Sequence, residues 1–170
     1  GSAGSPSTIK LDPALRERCV TILRDGLKSD EFWPAMHAAE GLSASGHGDE
    51  VKAALTPLLP KETDDQHRCG LARELVRAGD VAQAQIMLDI LAGADDYGHT
   101  HAAESLYKVH QIGDGTLLRK AMQDKASPKK ALMAAASLAR NGDQDALTFI
   151  RQFTDDADVE TAKIAAWILA

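Results

Sequence analysis

Ala38-Ala39-Glu40-Gly41-Leu42 is a short run that the chain repeats with variations. It returns as Leu71-Ala72-Arg73-Glu74-Leu75, Ala102-Ala103-Glu104-Ser105-Leu106, Ala134-Ala135-Ala136-Ser137-Leu138 and Ala165-Ala166-Trp167-Ile168-Leu169. The closing leucines stand 33, 31, 32 and 31 residues apart. Four of the runs lead into a Gly-Asp break, at Gly48-Asp49, Gly79-Asp80, Gly113-Asp114 and Gly142-Asp143. A second stretch with helical spacing of apolar residues follows each break, for example Val81 to Leu91 and Asp145 to Phe153. A fixed period of this length is the mark of a repeat architecture.

Each unit reads as a helical hairpin. Glycine supplies the left-handed conformation that stops the first helix, and the aspartate is placed to cap the second. The small Ala-Ala pair lets neighbouring first helices approach, and the leucine fills the layer between them. A unit of about 31 residues cannot bury both its faces alone, so it must stack on its neighbours. Pro13 to Lys28, with Leu15, Cys19, Ile22 and Leu23 at helical spacing, reads as an opening helix. Glu160 to Ala170 reads as the first helix of a fifth unit, ending within an apolar pattern as though cut from a longer chain. Pro60, Pro128 and Thr154-Asp155-Asp156 fall at the inter-repeat turns.

Composition agrees. The 170 residues include 29 alanines and 19 leucines but only seven aromatic residues, which favours helix over strand. At 44% hydrophobic and 26% charged the chain has enough apolar surface for a core. The expected domains are a short N-terminal remnant and flexible segment at 1–7, opening with Gly1-Ser2-Ala3-Gly4-Ser5, and one repeat domain over 8–170.

The Ala-Ala-Glu-x-Leu core followed by Gly-Asp resembles the short HEAT-like repeats of the phycobilin-lyase type, and the resemblance runs from about Asp30 to Ala170. It implies an all-α, right-handed α-α superhelix of about five helical-hairpin repeats, with first helices outside and second helices lining the concave side. Proteins with such repeats include bilin lyases, an iron-dependent hydroxylase of a modified lysine, alkylated-base DNA glycosylases and appendages of larger bacterial enzymes. A shared fold carries no shared function.

Charge and motifs exclude several classes. The net charge is −6, the wrong sign for a protein held on nucleic-acid phosphates. The one basic cluster, Arg119, Lys120, Lys125, Lys129 and Lys130, straddles a helix end and turn and reads as a solvated loop. No apolar run approaches the ~18–20 residues that cross a membrane. The two cysteines, Cys19 and Cys69, form no CxxC and read as buried thiols, compatible with a reducing, cytoplasmic compartment. Phosphate-cradling and dinucleotide glycine motifs are absent. Gly41-Leu42-Ser43-Ala44-Ser45 lacks the last glycine of a nucleophile elbow and ends a helix, where the elbow needs a strand-to-helix turn.

One polar stripe stands out when the units are superposed. Trp33, His37 and Glu40 sit at i, i+4 and i+7, and Tyr97, His101 and Glu104 repeat that spacing. Each triad shares one helix face. The second unit carries Gln66, Gly70 and Arg73 at the same places, so a Glu40–Arg73–Glu104 ladder is expected to fix the register of the repeats. The rival reading makes the stripe a small-ligand or metal site, since histidine and carboxylate one turn apart can meet one ion at about 2 Å. First helices two repeats apart should lie about 20 Å from each other, which keeps His37 and His101 from sharing an ion. Of the other histidines, His47 is expected in an exposed turn and His110 in the last turn of its helix, favourable to the dipole.

The functional expectation is therefore a non-catalytic scaffold with no metal and no cofactor. Its extended surface would dock a protein or another domain, touching neither nucleic acid nor membrane. Lys52, Gln85, Lys120 and Arg151, on second helices, are the expected partner-facing residues. Weak self-association through Trp167, Ile168 and Leu169 at the C-terminal edge is also expected.

Overall fold

A computed structural model describes residues 11–170; the expected N-terminal remnant at 1–7 lies outside them. Among the described residues the chain forms ten α-helices and no strand. They are α1 (Pro13–Leu27), α2 (Phe32–Ala44), α3 (Gly48–Leu55), α4 (Asp65–Arg77), α5 (Ala84–Ala92), α6 (His99–Lys108), α7 (Thr116–Met122), α8 (Pro128–Arg140), α9 (Gln144–Arg151) and α10 (Val159–Leu169). The all-α class is as expected. None of these helices is long and apolar enough to cross a membrane.

Packing follows the sequence period. The first helices pack in series, α2 on α4, α4 on α6, α6 on α8 and α8 on α10. Each second helix packs on the first helix of the following unit, as α3 does on α4, α5 on α6, α7 on α8 and α9 on α10. The Ala-Ala pairs of the first, third and fourth units and Leu71-Ala72 of the second are buried, as are Leu42, Leu75, Leu106 and Leu138. Two apolar clusters meet at α4. Leu71 and Leu75 join Val20, Met36, Leu42, Val51 and Leu55. Cys69, Ala72 and Val76 turn to the other side, toward Met87, Leu106, Leu118, Leu132 and Ile150.

The four closing leucines have a second role. Leu42, Leu75, Leu106 and Leu138 each accept, through the carbonyl, a bond from the N–H five residues on: His47, Asp80, Gln111 and Asp143, at 2.8–3.1 Å. This is the six-to-one bond of a Schellman helix end, which needs a left-handed residue one position earlier. Gly46, Gly79 and Gly142 fill that position with φ of 89°, 102° and 93°. In the third unit it falls to His110, at φ 58°. Two expectations are thereby corrected. Gly48 and Gly113 are not the stopping glycines of their units, and His110 lies beyond the last turn of α6 rather than in it. The conserved distance runs from leucine to left-handed residue, four in each unit; the Gly-Asp pair only coincides with it in the second and fourth.

Capping is corrected likewise. Of the four Gly-Asp aspartates only Asp143 caps a helix, accepting from the Ala146 N–H at 3.0 Å. Asp49 sits inside the first turn of α3, paired with Lys52 at 2.8 Å. Asp80 bonds the Gln83 side chain, and Asp114 closes a turn on the Thr116 N–H. Asp64 and Asp158, outside the Gly-Asp pairs, cap α4 and α10.

The edges differ from expectation too. On α1, Val20 is buried and Leu23 and Leu27 pack beside it, whereas Leu15, Cys19 and Ile22 are exposed. Helical spacing identified the helix but not its buried face, because α1 has packing on one side, against α2. Cys69 is buried as expected, and that burial pushes its thiol up to about 12. Trp167 and Leu169 are exposed on α10, while Ile168 is half-buried. Nor is the basic cluster a plain solvated loop. Lys130 is buried against Asp124, Arg119 pairs with Asp143 at 3.4 Å, and Lys129 reaches Glu104 at 3.8 Å.

Candidate functional site

All the stripe residues but Tyr97 sit on three consecutive first helices, α2, α4 and α6, and the centre of the arrangement is a residue without a side chain. A Cβ on Gly70, in α4, would lie 3.0 Å from the Phe32 ring and 3.2 Å from the Trp33 ring. The bare backbone there leaves room for both aromatic rings of α2 to lie against α4. Phe32 stacks on His67 at 3.9 Å, and Trp33 meets His67 edge-on at 5.7 Å. Trp33 also reaches past α4 to His101 of α6, with ring centroids 5.7 Å apart. The expected separation of the two stripes is therefore bridged by side chains, which helix-axis spacing does not capture.

Beside that contact lies a shallow pocket of about 150 Å³, lined by Trp33, His37, Arg73, His101, Glu104, Ser105 and Lys108. Five of the seven stripe residues are thus brought together. Glu40 and Tyr97 are not. Tyr97 lies two residues before α6 begins, and its hydroxyl donates to Asp64 Oδ2 at 2.9 Å. That bond holds the Tyr97 phenol above its ordinary pKa. The N–H groups of His67 and Gln66, with the Tyr97 hydroxyl, hold Asp64 below its own. Tyr97 is a strut to the cap of α4, not a wall of the pocket.

The Glu40–Arg73–Glu104 ladder does not form. Glu40 pairs with Arg77 at 3.1 Å, and Arg77 also donates to Glu74 at 2.8 Å. Glu74 takes a second bond, 2.8 Å, from Arg73 Nε, and Arg73 reaches on to Ser105 Oγ at 3.4 Å. The polar link from α2 to α6 thus runs Glu40–Arg77–Glu74–Arg73–Ser105. Glu74 is fully buried, and its Oε2 accepts no bond among the described residues. Glu104 turns the other way, to Lys108 at 2.9 Å and Lys129 of α8 at 3.8 Å. Burial pushes the Glu104 carboxyl up, but the Lys108 hydrogen bond and the charges of Lys108 and Lys129 outweigh it, leaving it below its ordinary value. For His101, burial wins over the nearby carboxylate and holds the imidazole below its ordinary value. His37 is exposed, its Nδ1 3.8 Å from Glu40.

Chemically the pocket offers a guanidinium at its floor, two aromatic walls, a hydroxyl and a neutralised carboxylate. Those groups suit recognition of a small polar molecule. No cluster of three or more His, Cys, Asp or Glu side chains placed to hold a metal ion occurs among the described residues. Glu74, Arg77, Ser105 and Lys108 are the members that sequence reasoning missed. The Glu74–Arg77 spacing of three was the available signal for the ion pair. His47 is half-buried in its turn, with Nδ1 3.0 Å from Glu50.

The four expected partner-facing residues lie on second helices, as read, but in separate surroundings. Lys52 pairs with Asp49. Gln85 bonds Asp89 and lines a groove of about 410 Å³ with Leu88, Ile112 and Leu117. Lys120 lines a pocket of about 220 Å³ with His99 and Lys130. Arg151 is exposed at the end of α9. In comparisons with known proteins, no family model matches the chain and no curated protein matches it.

Proposed function

We propose that the chain is a HEAT-like helical-repeat solenoid that acts as a non-catalytic protein-binding or assembly module. The observation that carries this reading is the asymmetry between its helices. Eight consecutive residues of α4, Cys69 to Val76, and nine of α8, Lys130 to Leu138, are buried. Only Val51 and Leu55 are buried in α3, and only Ala146 and Ile150 in α9. The first helices α4 and α8 are consumed in holding the stack together, while the second helix α5 buries five of its nine residues and α6 only four of its ten. The second helices α3 and α9 keep an outward face, and such faces suit an extended partner.

The test is a fourfold variant, Lys52→Glu, Gln85→Lys, Lys120→Glu and Arg151→Glu, compared with His37→Ala/His101→Ala. Both are checked for helicity by circular dichroism and for retention of cross-linked partner proteins. The scaffold reading expects the fourfold variant to lose the partners that the wild type retains, and the histidine pair to keep them. Retention by the fourfold variant overturns it.

A second reading, a small-ligand or metal-dependent site, is favoured by the Trp33–Arg73–His101 pocket. It expects about one tightly held metal per chain after exposure to zinc or iron, or a ligand-induced rise in melting temperature. Either effect would be lost in His37→Ala/His101→Ala.

A further inference from the structure

The pocket beside the Trp33–His101 contact holds hydrogen-bond donors that nothing uses. Arg73 forms part of its lining, with a side chain only 9% exposed. Its Nε donates to Glu74 and its Nη1 to Ser105 Oγ, while Nη2 makes no hydrogen bond among the described residues. Ser105 is buried, and its hydroxyl accepts from Arg73 without donating to any described group. The 3.4 Å between Nη1 and Oγ sets these two unused donors side by side. Lys108, one turn further along α6, gives one N–H to Glu104 and keeps the others of its ammonium group.

The acidic acceptors nearby are already engaged. Glu104, the one carboxylate in the lining, pairs with Lys108 at 2.9 Å and with Lys129 at 3.8 Å. Carboxylates outside the lining are held elsewhere. Glu74 lies between Arg73 and Arg77, and its free Oε2 is closed off from the surface. Glu40 is taken by Arg77, and Glu62 by His67 and the N–H groups of Thr63 and Asp64. Charge points the same way. Three cations, Arg73, Lys108 and Lys129, act on His101 against one carboxylate, Glu104. Trp33 supplies an apolar wall, and about 150 Å³ of shallow space admits a small molecule only.

We propose that this pocket binds a small organic carboxylate. Its two oxygens are taken by Arg73 Nη2 and the Ser105 hydroxyl, its charge is met by Lys108, and its flat apolar body lies against Trp33. Hydrogen bonds between ionised partners are the strong ones, and a buried guanidinium with an unused N–H is the residue type best suited to make them. That assignment rests on the small-ligand reading of the pocket and gives it a ligand class. It does not depend on whether the second helices dock proteins.

The probes are benzoate, benzamide and benzamidine, molecules of nearly one shape that are anionic, neutral and cationic at neutral pH. Each is titrated into the wild type and followed by NMR through the Trp33 indole N–H and the His101 imidazole. Trp167, exposed on α10, is the internal control. Benzoate is expected to saturate both signals while Trp167 stays unmoved, benzamide to bind about tenfold more weakly, and benzamidine not to bind. Bound benzoate should also raise the pH at which His101 titrates, because a neighbouring anion favours the imidazolium. Lys108→Gln is expected to weaken benzoate by about three- to fivefold with helicity intact, and Lys108→Arg to keep the wild-type affinity. Arg73→Gln is expected to abolish binding. If that variant loses helicity, Ser105→Ala replaces it and should weaken benzoate about tenfold. Benzamide or benzamidine binding as tightly as benzoate overturns the carboxylate assignment and leaves the small-ligand reading standing. Benzoate shifts that ignore both Lys108→Gln and Ser105→Ala overturn it in the same way. No saturation by any of the three overturns it too, and leaves the pocket only its metal test.

Discussion

The first and third repeats carry the same triad at the same spacing, yet the fold uses them differently. In the first, Trp33 is drawn into the neighbouring unit, while His37 stays in solvent with its side chain 75% exposed. In the third, the aromatic residue falls outside its helix and braces a cap, while His101 is the member drawn inward. The first helix ends on Gly46, the third on His110. Equal spacing on two helices guarantees equal angular placement. It does not guarantee equal surroundings, because each face meets whatever the adjacent helix offers. For Trp33 that is Gly70, and for His101 it is the indole that Gly70 admits.

The largest expected effect lies between the two repeats, at Glu74. Removing a buried partner of two arginines leaves Arg73 buried without its carboxylate, so Glu74→Ala should cost about 3–5 kcal/mol in chemical denaturation. A loss below about 1 kcal/mol would mean that the polar link from α2 to α6 contributes no more than a surface pair.

Gly70→Leu would close the notch that lets the repeats differ. Ring contacts already at 3.0–3.2 Å for a Cβ leave no room for a longer side chain, and overpacking of this kind costs about 1–3 kcal/mol. The near-ultraviolet dichroism of Trp33 should change with it. An unchanged aromatic spectrum would count against the Trp33–His101 contact.

Making the third repeat more like the first should stabilise it. A non-glycine residue in the left-handed region costs about 1 kcal/mol, so His110→Gly should raise the melting temperature by roughly 2–4 °C. The ring's 3.3 Å approach to Arg140 is exposed and costs little to lose. A lower melting temperature would show that this contact outweighs the backbone strain.

The smallest effect separates the two histidines. Burial holds His101 below its ordinary value of 6.5, so on acidification the unfolded chain takes up that proton first. The stability contributed by neutral His101 is fully present above about 6.5 and is lost as pH falls through the window below it. His101→Gln should therefore flatten the fall in stability on acidification below that point. His37→Ala, on an exposed face, should change stability by no more than about 0.5 kcal/mol. Equal pH slopes in wild type and His101→Gln would remove the distinction between the repeats at this position.

Much of the fold was legible in the sequence. The small pairs and closing leucines marked the buried face of α2, α4, α6 and α8, though not of α10, where Leu169 is exposed. The helix ends were legible only in part. Glycine spacing pointed to a stop in every unit, but the stop is set by distance from the leucine carbonyl, and a histidine can occupy it at a cost. The site was half legible. Helical phase grouped Trp33, His37, Arg73, His101 and Glu104, which do share a pocket. It mispaired Arg73, because an arginine on the right face still chooses the nearest carboxylate, and Glu74 on its own helix was nearer. The same limit applies to α1, where periodicity marked the helix but not its buried face, and Leu15 and Ile22 are exposed.

The sequence by itself determined an all-helical chain, the length of its units and the residues that face from one first helix to the next, because those follow from local propensity and period. Only the tertiary structure decided which charges pair, which histidine is drawn from water and which apolar faces remain uncovered. Those depend on distances between residues thirty or more positions apart, and a single glycine in α4, Gly70, sets how closely Phe32 and Trp33 approach that helix.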